Sequence, residues 1–418
     1  MKKLERTLTE IAVSLLFVIL AMVLFGVHGK KPEEKPPKEA AMKRETDREM
    51  RGVWVASVEN LDYPAMPTAS AQELRAQADA VMDGVGRMGF NTIFLQVRPC
   101  SDAFYPSKIY PWSRYLTGQQ GTAPDSEFDP LEYWVSEAHK RGLELHAWLN
   151  PYRIARDAVE WESLEESSPA RQHPDWVVQY QEGYYFNPGL PEVRELVTDG
   201  VMEIVENYQV DGIHLDDYFY PGGDFNDGAS YAAYGGDFPD IGDWRRNNVN
   251  LLVNGLDTAI HEAEPDMEFG ISPAGIWASN TMHPEGSATT SSFSSYFSLY
   301  ADSRTWVKEG WVDYIAPQLY WEMGHATADF SALLGWWSAV AKEAKEKGVK
   351  LYVGLADYKT AEAGEDGNNP WYGGGEIERQ MEACSVEDTV SGTIHFRYGL
   401  IANCPSIQQV LGEAYSEH

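Results

Sequence analysis

The sequence is poor in cysteine and in basic residues. It has only three cysteines, Cys100, Cys384 and Cys404, too few for a disulfide-stabilised scaffold, and their spacing fits no zinc site. A single bridge between Cys384 and Cys404 is the most that we expect. Lysine and arginine total 33 against 64 aspartates and glutamates, so the formal net charge is −31. A surface of that sign repels phosphate backbones, which argues against a nucleic-acid partner.

Several catalytic signatures are also missing. No serine lies in a nucleophile elbow, no Walker loop occurs, and the histidines lack metal-ligand spacing. We therefore expect neither an organic cofactor nor a bound metal. A glycine-rich acidic loop invites comparison with a calcium site, but its spacing matches no EF-hand and favours a solvated loop. The aspartates of this loop are Asp224, Asp227, Asp237, Asp240 and Asp243.

The N-terminus has a pattern typical of export. Lys2, Lys3 and Arg6 precede an uncharged run over residues 11–27, which is short for a spanning helix and long for a signal-peptide core. A cleaved signal and a retained membrane anchor over residues 1–29 both stay open, and either places the remaining chain outside the cytoplasm. Residues 30–49 are rich in Pro, Lys and Glu and predict a disordered linker, so residues 50–418 form the catalytic domain.

Short apolar runs alternate with amphipathic helical patterns from Arg51 onward, and Ser70 and the pair Asp129–Pro130 mark helix starts. Eight strands alternating with helices predict a (β/α)8 TIM barrel rather than a doubly wound sheet, because no glycine-rich loop follows the first strand. The predicted strands are Gly52–Ser57, Thr92–Arg98, Glu144–Tyr152, Gly212–Tyr218, Glu268–Ala274, Tyr314–Trp321, Leu351–Tyr358 and Thr393–Tyr398.

Four long segments follow predicted strands and are therefore βα loops, which lie on the catalytic face of a barrel. They should form the walls of a groove. These loops are Pro99–Phe128, Arg153–Pro188, Pro221–Asp243 and Ile276–Ser292.

Strand alternation indicates which side chains point into the barrel. Apolar Ile213 and Leu215 should face the helices, so that Asp216 faces inward and Asp217 faces away unless the strand bends. Asp357 is expected at the rim, and the eighth strand leaves His395 or Phe396 open as the inward residue. So polar an interior, at the carboxyl ends of the strands, indicates an active site. Its inward members are Gln96, Arg98, His146, Trp148, Asn150, Tyr152, His214, Asp216, Tyr218, Gln318, Tyr320 and Glu322.

Two carboxyl groups on different strands suit the hydrolysis of a glycosidic bond. Asp216 is the candidate for the ionised nucleophile or base, with Arg98 or a nearby histidine lowering its pKa. Glu322 is the candidate acid, because Tyr320 and Trp321 could desolvate it. Asp217 and Asp357 are the reserves. The 14 Trp and 23 Tyr provide flat rings, many of them in the βα loops, that suit a sugar ligand.

Seven motifs in order resemble the bacterial glycosyl-hydrolase-like family ten. They are Arg51–Val55 (RGVWV), Phe90–Pro99 (FNTIFLQVRP), His146–Arg153 (HAWLNPYR), Phe186–Gly189 (FNPG), Asp211–Pro221 (DGIHLDDYFYP), Ile271–Trp277 (ISPAGIW) and Asp313–Trp321 (DYIAPQLYW). The resemblance implies a barrel glycosidase of the cell envelope that acts on peptidoglycan glycan strands. The fourth motif adds Asn187 to the substrate-binding candidates.

The fourth-strand motif is also similar to that of alpha-amylase-like barrels, whose nucleophile falls on Asp216, although His214 replaces their arginine. Alpha-galactosidase-like barrels have their acid after the sixth strand, where Glu322 lies. The chitinase acid would fall on Tyr218, so chitinase-type substrate assistance is not expected. The prediction is a glycosidase of an envelope polysaccharide. A non-catalytic glycan-binding barrel and, less favoured, a metal-dependent polysaccharide deacetylase are the alternatives.

Overall fold

The computed structural model describes residues 48–415. Within them, eight parallel strands close into a barrel in the order β1-β2-β3-β7-β8-β9-β10-β11. The predicted (β/α)8 barrel is confirmed, and each predicted strand overlaps an observed one, although seven of the eight end two to six residues earlier than predicted. The barrel strands are β1 (Met50–Val55), β2 (Thr92–Arg98), β3 (Glu144–Leu149), β7 (Gly212–Leu215), β8 (Glu268–Ile271), β9 (Tyr314–Ile315), β10 (Lys350–Leu355) and β11 (Val390–His395).

The loop after β3 contains a small antiparallel sheet that the sequence did not predict. Its strands are β4 (Arg153–Ala155), β5 (Val177–Tyr180) and β6 (Gly183–Phe186), with β6 between the other two. In the pairing of β4 with β6, Arg153 lies opposite Tyr185. This sheet therefore fixes the start of the loop that leaves the catalytic end of β3.

Helices surround the barrel, and most begin at a side chain that accepts a backbone N–H. Asp129 accepts from Glu132, with Pro130 in the first turn, as predicted. Ser70 accepts the backbone N–H of Glu73 at 3.3 Å, which is one of the two hydrogen bonds of a capping box. The second does not form, because the Glu73 carboxylate accepts from the Thr68 hydroxyl instead. The long helices are α1 (Ala71–Arg87), α3 (Pro130–Lys140), α6 (Pro191–Asn207), α8 (Ile241–Ala263), α11 (Phe330–Glu343), α13 (Gly375–Ser385) and α15 (Pro405–Tyr415).

Shorter helical segments lie in the loops. The α-helical ones are α2 (Arg114–Thr117), α4 (Ala158–Glu162), α5 (Pro169–Gln172), α7 (Gly228–Tyr234), α9 (Ser295–Ser298), α10 (Ser303–Glu309), α12 (Tyr358–Ala363) and α14 (Tyr398–Ile401). Single 3₁₀ turns lie at Val58–Asn60, Asp125–Glu127, Pro174–Trp176, Lys345–Lys347 and Tyr372–Gly374. Most of these segments follow β2, β3, β7 or β8, so the long βα loops are partly structured.

Two separate clusters of buried side chains follow from strand alternation. Outward residues such as Ile213 and Leu215 join the large core between strands and helices. Inward residues form a smaller cluster inside the barrel, which includes Trp54, Phe94 and Tyr314. The interior is thus filled by large rings, as expected for a barrel that is a packed core and not a pore.

Gly270 of β8 makes room for one of these rings. A Cβ at this position would lie 2.1 Å from the Tyr314 ring. We therefore expect Gly270→Ala to lower the free energy of unfolding by about 1–3 kcal/mol, through overpacking. Gly255→Ala is the matched control, because it lies on the exposed side of α8 with open space around its Cβ. Urea denaturation should show no loss of unfolding free energy for Gly255→Ala. An equal loss in both variants would contradict the packing argument.

Other predictions concern the cysteines and the N-terminus. The proposed bridge between Cys384 and Cys404 is wrong, because both thiols are unpaired. The predicted leader over residues 1–29 and nearly all of the linker over 30–49 lie outside the described residues. In the part of the chain that is described, no helix has the length and apolar character needed to cross a membrane.

Candidate active site

The site forms where the chain turns at the end of β7. Strand pairing stops at Leu215, and the Asp216 Oδ1 accepts the backbone N–H of Tyr218 at 3.2 Å. A turn closed by a side-chain oxygen that accepts the backbone N–H two residues later is one that Asp favours. The turn brings Asp217 onto the barrel side, beside Gln318, whose side chain acts to lower the pKa of the Asp217 carboxyl group. The sequence predicted that Asp217 faces away unless the strand bends, and the turn after Leu215 is such a bend.

Side chains from β3 and the residues after it hold Asp216. Trp148 donates its indole N–H to Asp216 at 3.1 Å, and the Asn150 amide donates to both carboxylate oxygens at 3.1 and 3.2 Å. The Asn150 oxygen accepts the backbone N–H of Arg153 at 2.8 Å, which orients its amide nitrogen toward Asp216. Asp216 is only 3% exposed. Its carboxylate is therefore fixed by donors and closed off from bulk water.

Burial sets the charge state of the two carboxyl groups. Burial raises the pKa of Asp216 to about 7, and the neighbouring Asp217 charge adds to this, while Arg153, Asn150 and Trp148 act in the opposite direction. Burial also raises the pKa of Asp217, against the Gln318 hydrogen bond and Arg153. The expectation of a lowered pKa for Asp216 is wrong. Because the two groups interact, they titrate as a pair that retains a proton up to near-neutral pH.

The arginine at the site is Arg153, and not the predicted Arg98. The ladder between β2 and β3 shifts between Gln96 and Arg98, so that Arg98 lies opposite outward-facing Leu149. The Arg98 guanidinium consequently leaves the barrel and lies 4.6 Å from the centre of the Tyr110 ring. An irregularity of one residue reverses the side-chain direction, and nothing in the alternation pattern signals it.

Arg153 lies between the loops and the carboxyl pair. Its Nε and Nη2 donate to the carbonyl oxygen of Pro99 at 3.2 Å. Its guanidinium lies 4.9 Å from the ring centre of Tyr218, which is 46% exposed. Sequence reasoning missed this residue, although it ends the motif that begins at His146. The signal was present: the motif places a cation directly after the strand that carries Trp148 and Asn150.

Below Asp216, a buried hydrogen-bond chain fills the barrel. The Trp54 indole can only donate, so the His214 Nε2 that it contacts at 3.1 Å is an acceptor, and His214 Nδ1 carries the proton. His214 then donates to the Tyr314 hydroxyl at 3.0 Å, and Tyr314 donates to His146 Nδ1 at 3.0 Å. Burial lowers the pKa of His214, which keeps it neutral. His146 and His214 point inward as predicted, but they lie beneath the site and support it.

The structure brings several other predicted residues to the carboxyl pair. Gln318 lies beside Asp217 and donates to the Ser272 carbonyl oxygen at 3.0 Å. Burial raises the pKa of the Tyr320 hydroxyl well above its ordinary value, and the Asp217 charge adds to this. Tyr218 presents its exposed ring beside them. The groove floor therefore consists of Trp148, Asn150, Arg153, Asp216, Asp217, Tyr218, Gln318 and Tyr320.

Other predicted residues lie elsewhere. The Gln96 oxygen accepts the backbone N–H groups of Ser57 and Val58, and it fixes the turn after β1. Tyr152 is fully buried in the outer core. Asn187 donates to Ser230 at 2.7 Å and so joins the end of β6 to α7. These placements make Gln96, Tyr152 and Asn187 supports of the loops.

Among the described residues, neither Asp357 nor Glu322 is hydrogen-bonded to the pair. Asp357 is buried and contacts His395 Nδ1 at 3.0 Å, because His395 faces outward while Phe396 contacts Trp54 inside. Glu322 is partly buried beyond β9 and lies near Lys359. Burial lowers the pKa of Lys359, and the negative charge of Glu322 acts to raise it. The carboxyl group that interacts with Asp216 is thus Asp217. Within residues 48–415, no three acidic, histidine or cysteine side chains meet as a metal site.

Comparisons with known proteins identify the family of this chain. A family model described as Glycosyl hydrolase-like 10 matches residues 49–373. "Glycosyl hydrolase YngK" of Bacillus subtilis is 44% identical over 360 residues, which cover 84% of this chain and 68% of that protein. "Glycosyl hydrolase DigH" of Escherichia coli K12 is 37% identical over 421 residues, covering 95% of this chain and 94% of that protein.

A solved structure is similar in fold. The PgaB (BpsB) glycoside hydrolase domain from Bordetella bronchiseptica aligns with a TM-score of 0.56 over 87% of this chain and 98% of that one. At 14% sequence identity, this likeness shows the barrel fold alone.

Proposed function

This chain belongs to the Glycosyl hydrolase-like 10 family, and from that premise we propose that it hydrolyses glycosidic bonds in a cell-envelope polysaccharide. The observation that carries the proposal is the Asp216–Asp217 pair at the carboxyl end of β7, where barrel enzymes carry their catalytic groups. One member is buried with a pKa of about 7, and the other is partly exposed and lies beside Gln318. Environments that separate the protonation of two carboxyl groups suit acid–base chemistry at neutral pH.

Asp217 is the group that we assign to the reacting sugar. It is partly exposed, whereas Asp216 has its oxygens engaged by Trp148, Asn150 and the Tyr218 amide. Ionised Asp217 would attack the anomeric carbon or activate the water that does so, and Asp216 would set the charge of Asp217. Glu322 keeps its predicted role as the acid that protonates the leaving oxygen. Water supplies the oxygen of the new hydroxyl and the proton that restores the acid.

Tyr218 is suited to bind the sugar beside this pair. Its ring is exposed on one side and covered by the Arg153 guanidinium on the other. A flat ring with one open face is a good contact surface for a pyranose, and the cation holds it in place. Tyr320 and Gln318 add hydrogen-bonding groups on the side of β9. A binding barrel without catalysis would gain nothing from burying two carboxyl groups together, which favours the enzyme.

The substrate that we propose is the glycan strand of peptidoglycan, reached outside the cytoplasm by way of the N-terminal leader or anchor. The purified protein should release soluble sugar fragments from insoluble peptidoglycan or from glycan strands freed of peptides, detected by mass spectrometry. Asp217→Asn should release almost none, and Asp237→Asn, an exposed change in the loop after β7, should behave as the unmodified protein. Binding of either substrate without any release would instead support the glycan-binding alternative.

A further inference from the structure

A second cavity lies on the flank of the barrel, away from Asp216. It has a volume of about 370 Å³, within the range of small-ligand sites. Its walls come from the loop after β2, around Ser107–Trp112 and Gln119–Thr122, and from the loop after β3, at Glu165 and Ser167. The cavity is large enough to hold a small ligand, and none of its lining residues belongs to the groove floor.

The contacts of the β2 loop place this cavity over helix α6. The Tyr110 hydroxyl donates to the Leu196 carbonyl oxygen at 3.2 Å, and Ser107 bonds the Glu203 carboxylate two turns further along. The loop therefore runs down the outer side of α6, toward the end of the barrel opposite the catalytic face. A ligand here would be bound apart from Asp217.

The cavity is built by contacts between the two loops. The Gln120 side-chain oxygen accepts the backbone N–H of Glu165 at 2.8 Å, and Gln120 is 4% exposed. The Gly121 N–H bonds the Trp112 carbonyl oxygen at 2.9 Å. Gly121 has a φ of +83°, and a Cβ there would lie 3.0 Å from the Glu165 side chain. One bond between the loops, one bond within the β2 loop and a close glycine approach hold the walls in one arrangement.

The lining combines aromatic rings with uncharged hydrogen-bonding groups. The Trp112 ring is partly exposed, whereas Tyr110 is buried against Arg98 and closes the wall behind it. Amides and hydroxyls of Gln119, Gln120, Thr122 and Ser167 provide both donors and acceptors. Within residues 48–415, the Gln120 amide nitrogen has no hydrogen-bond partner. Lys108 and Glu165 contribute one charge of each sign, so the lining has no net preference for an anion.

We propose that this flank cavity is a second glycan-binding site, which holds an uncharged, hydroxyl-rich pyranose segment of the same polymer that the β7 site cleaves. The assignment rests on the proposed function for the identity of the polymer. Rings with mixed amide and hydroxyl groups match the apolar faces and hydroxyl edges of a sugar. A second contact on one polymer raises the effective concentration of the chain near the groove without adding any contact at Asp217.

The test fills the cavity without touching the groove. Ser167→Trp introduces a large ring from an exposed cavity wall, and Glu166→Trp adds the same ring at the next exposed position, outside the cavity. Gln119→Ala is a second variant, which removes a hydrogen-bonding wall residue. All are made in the full chain with Asp217→Asn, so that binding is measured without cleavage. The probes are tetra-N-acetylchitotetraose and glycan strands freed of peptides, titrated by calorimetry.

We expect the Asp217→Asn protein and its Glu166→Trp version to bind chitotetraose at two sites, and the Ser167→Trp version at one. Affinity for the long strands should fall by about tenfold in Ser167→Trp and by less in Gln119→Ala. Equal site numbers and affinities in all variants would overturn the proposal. Failure of the proposed function appears separately, as the absence of released fragments from the unmodified protein, because site number is read from binding alone.

Discussion

Replacing Asp217 with Asn should lower the rate of glycan cleavage by about 10³-fold, with little change in the affinity for the glycan. The amide has nearly the shape of the carboxylate and keeps an oxygen that can accept from Gln318, but it can neither carry the negative charge nor take up a proton. Single-turnover measurements on labelled glycan strands separate the two effects, because they give the chemical rate apart from binding.

Two further variants assign the roles around Asp217. Asp237→Asn removes an exposed carboxylate from the same loop and should leave the rate unchanged. Glu322→Gln should slow cleavage by about 10²- to 10⁴-fold if Glu322 protonates the leaving oxygen, as we propose. Full activity of Asp217→Asn would remove Asp217 from the chemistry. An active Asp217→Asn beside an inactive Asp216→Asn would return the nucleophile to Asp216, where the sequence resemblance placed it.

The second large effect concerns the pH dependence of stability. The pKa of Asp216 is about 7 in the folded protein, against an ordinary value of 3.8. Between these values the folded protein holds a proton that the unfolded chain has lost, so the free energy of unfolding falls as the pH rises. Burying the charged carboxylate therefore lowers the free energy of unfolding. This loss is absent when the pH is below the ordinary pKa of Asp and complete above about pH 7. This is the opposite of a carboxylate stabilised by an ion pair.

Asp216→Asn removes the group that titrates and should therefore remove this dependence. We consider the free energy of unfolding of Asp216→Asn minus that of the unmodified protein. This difference should be about 2–3 kcal/mol larger at about pH 8 than at about pH 5. Comparing two pH values cancels the constant effect of altering the hydrogen bonds from Trp148 and Asn150. Urea denaturation at both values measures it, with Asp237→Asn as the control. A difference that does not change with pH would show that Asp216 is not the proton-binding group.

The fold could be predicted because every barrel strand is read from a short apolar run between helical patterns. Ile213 and Leu215 are outward and buried, so the inward direction of His214 and Asp216 followed directly. Helix starts at Ser70 and Asp129 were equally clear, because their side chains cap the helices locally. These features depend on residues near one another in sequence.

The site was predicted less completely, because its errors come from irregular backbone. A shift of register at the end of β2 sends Arg98 outward, and a turn closed by the Asp216 side chain brings Asp217 inward. Neither event alters the apolar alternation that the sequence displays. The pKa of Asp216 depends on how deeply side chains from other parts of the barrel, such as Trp148 and Asn150, bury it. Burial of that kind is a property of the assembled barrel and is not visible in one strand.

The most direct test of hydrolysis at this site is digestion of peptide-freed glycan strands in water enriched in ¹⁸O. Hydrolysis breaks the bond between the anomeric carbon and the leaving oxygen, and the new hydroxyl comes from water. We predict fragments that carry one ¹⁸O at each new reducing end, formed by the unmodified protein and not by Asp217→Asn. Tight binding without fragments, or fragments without the label, would contradict the account.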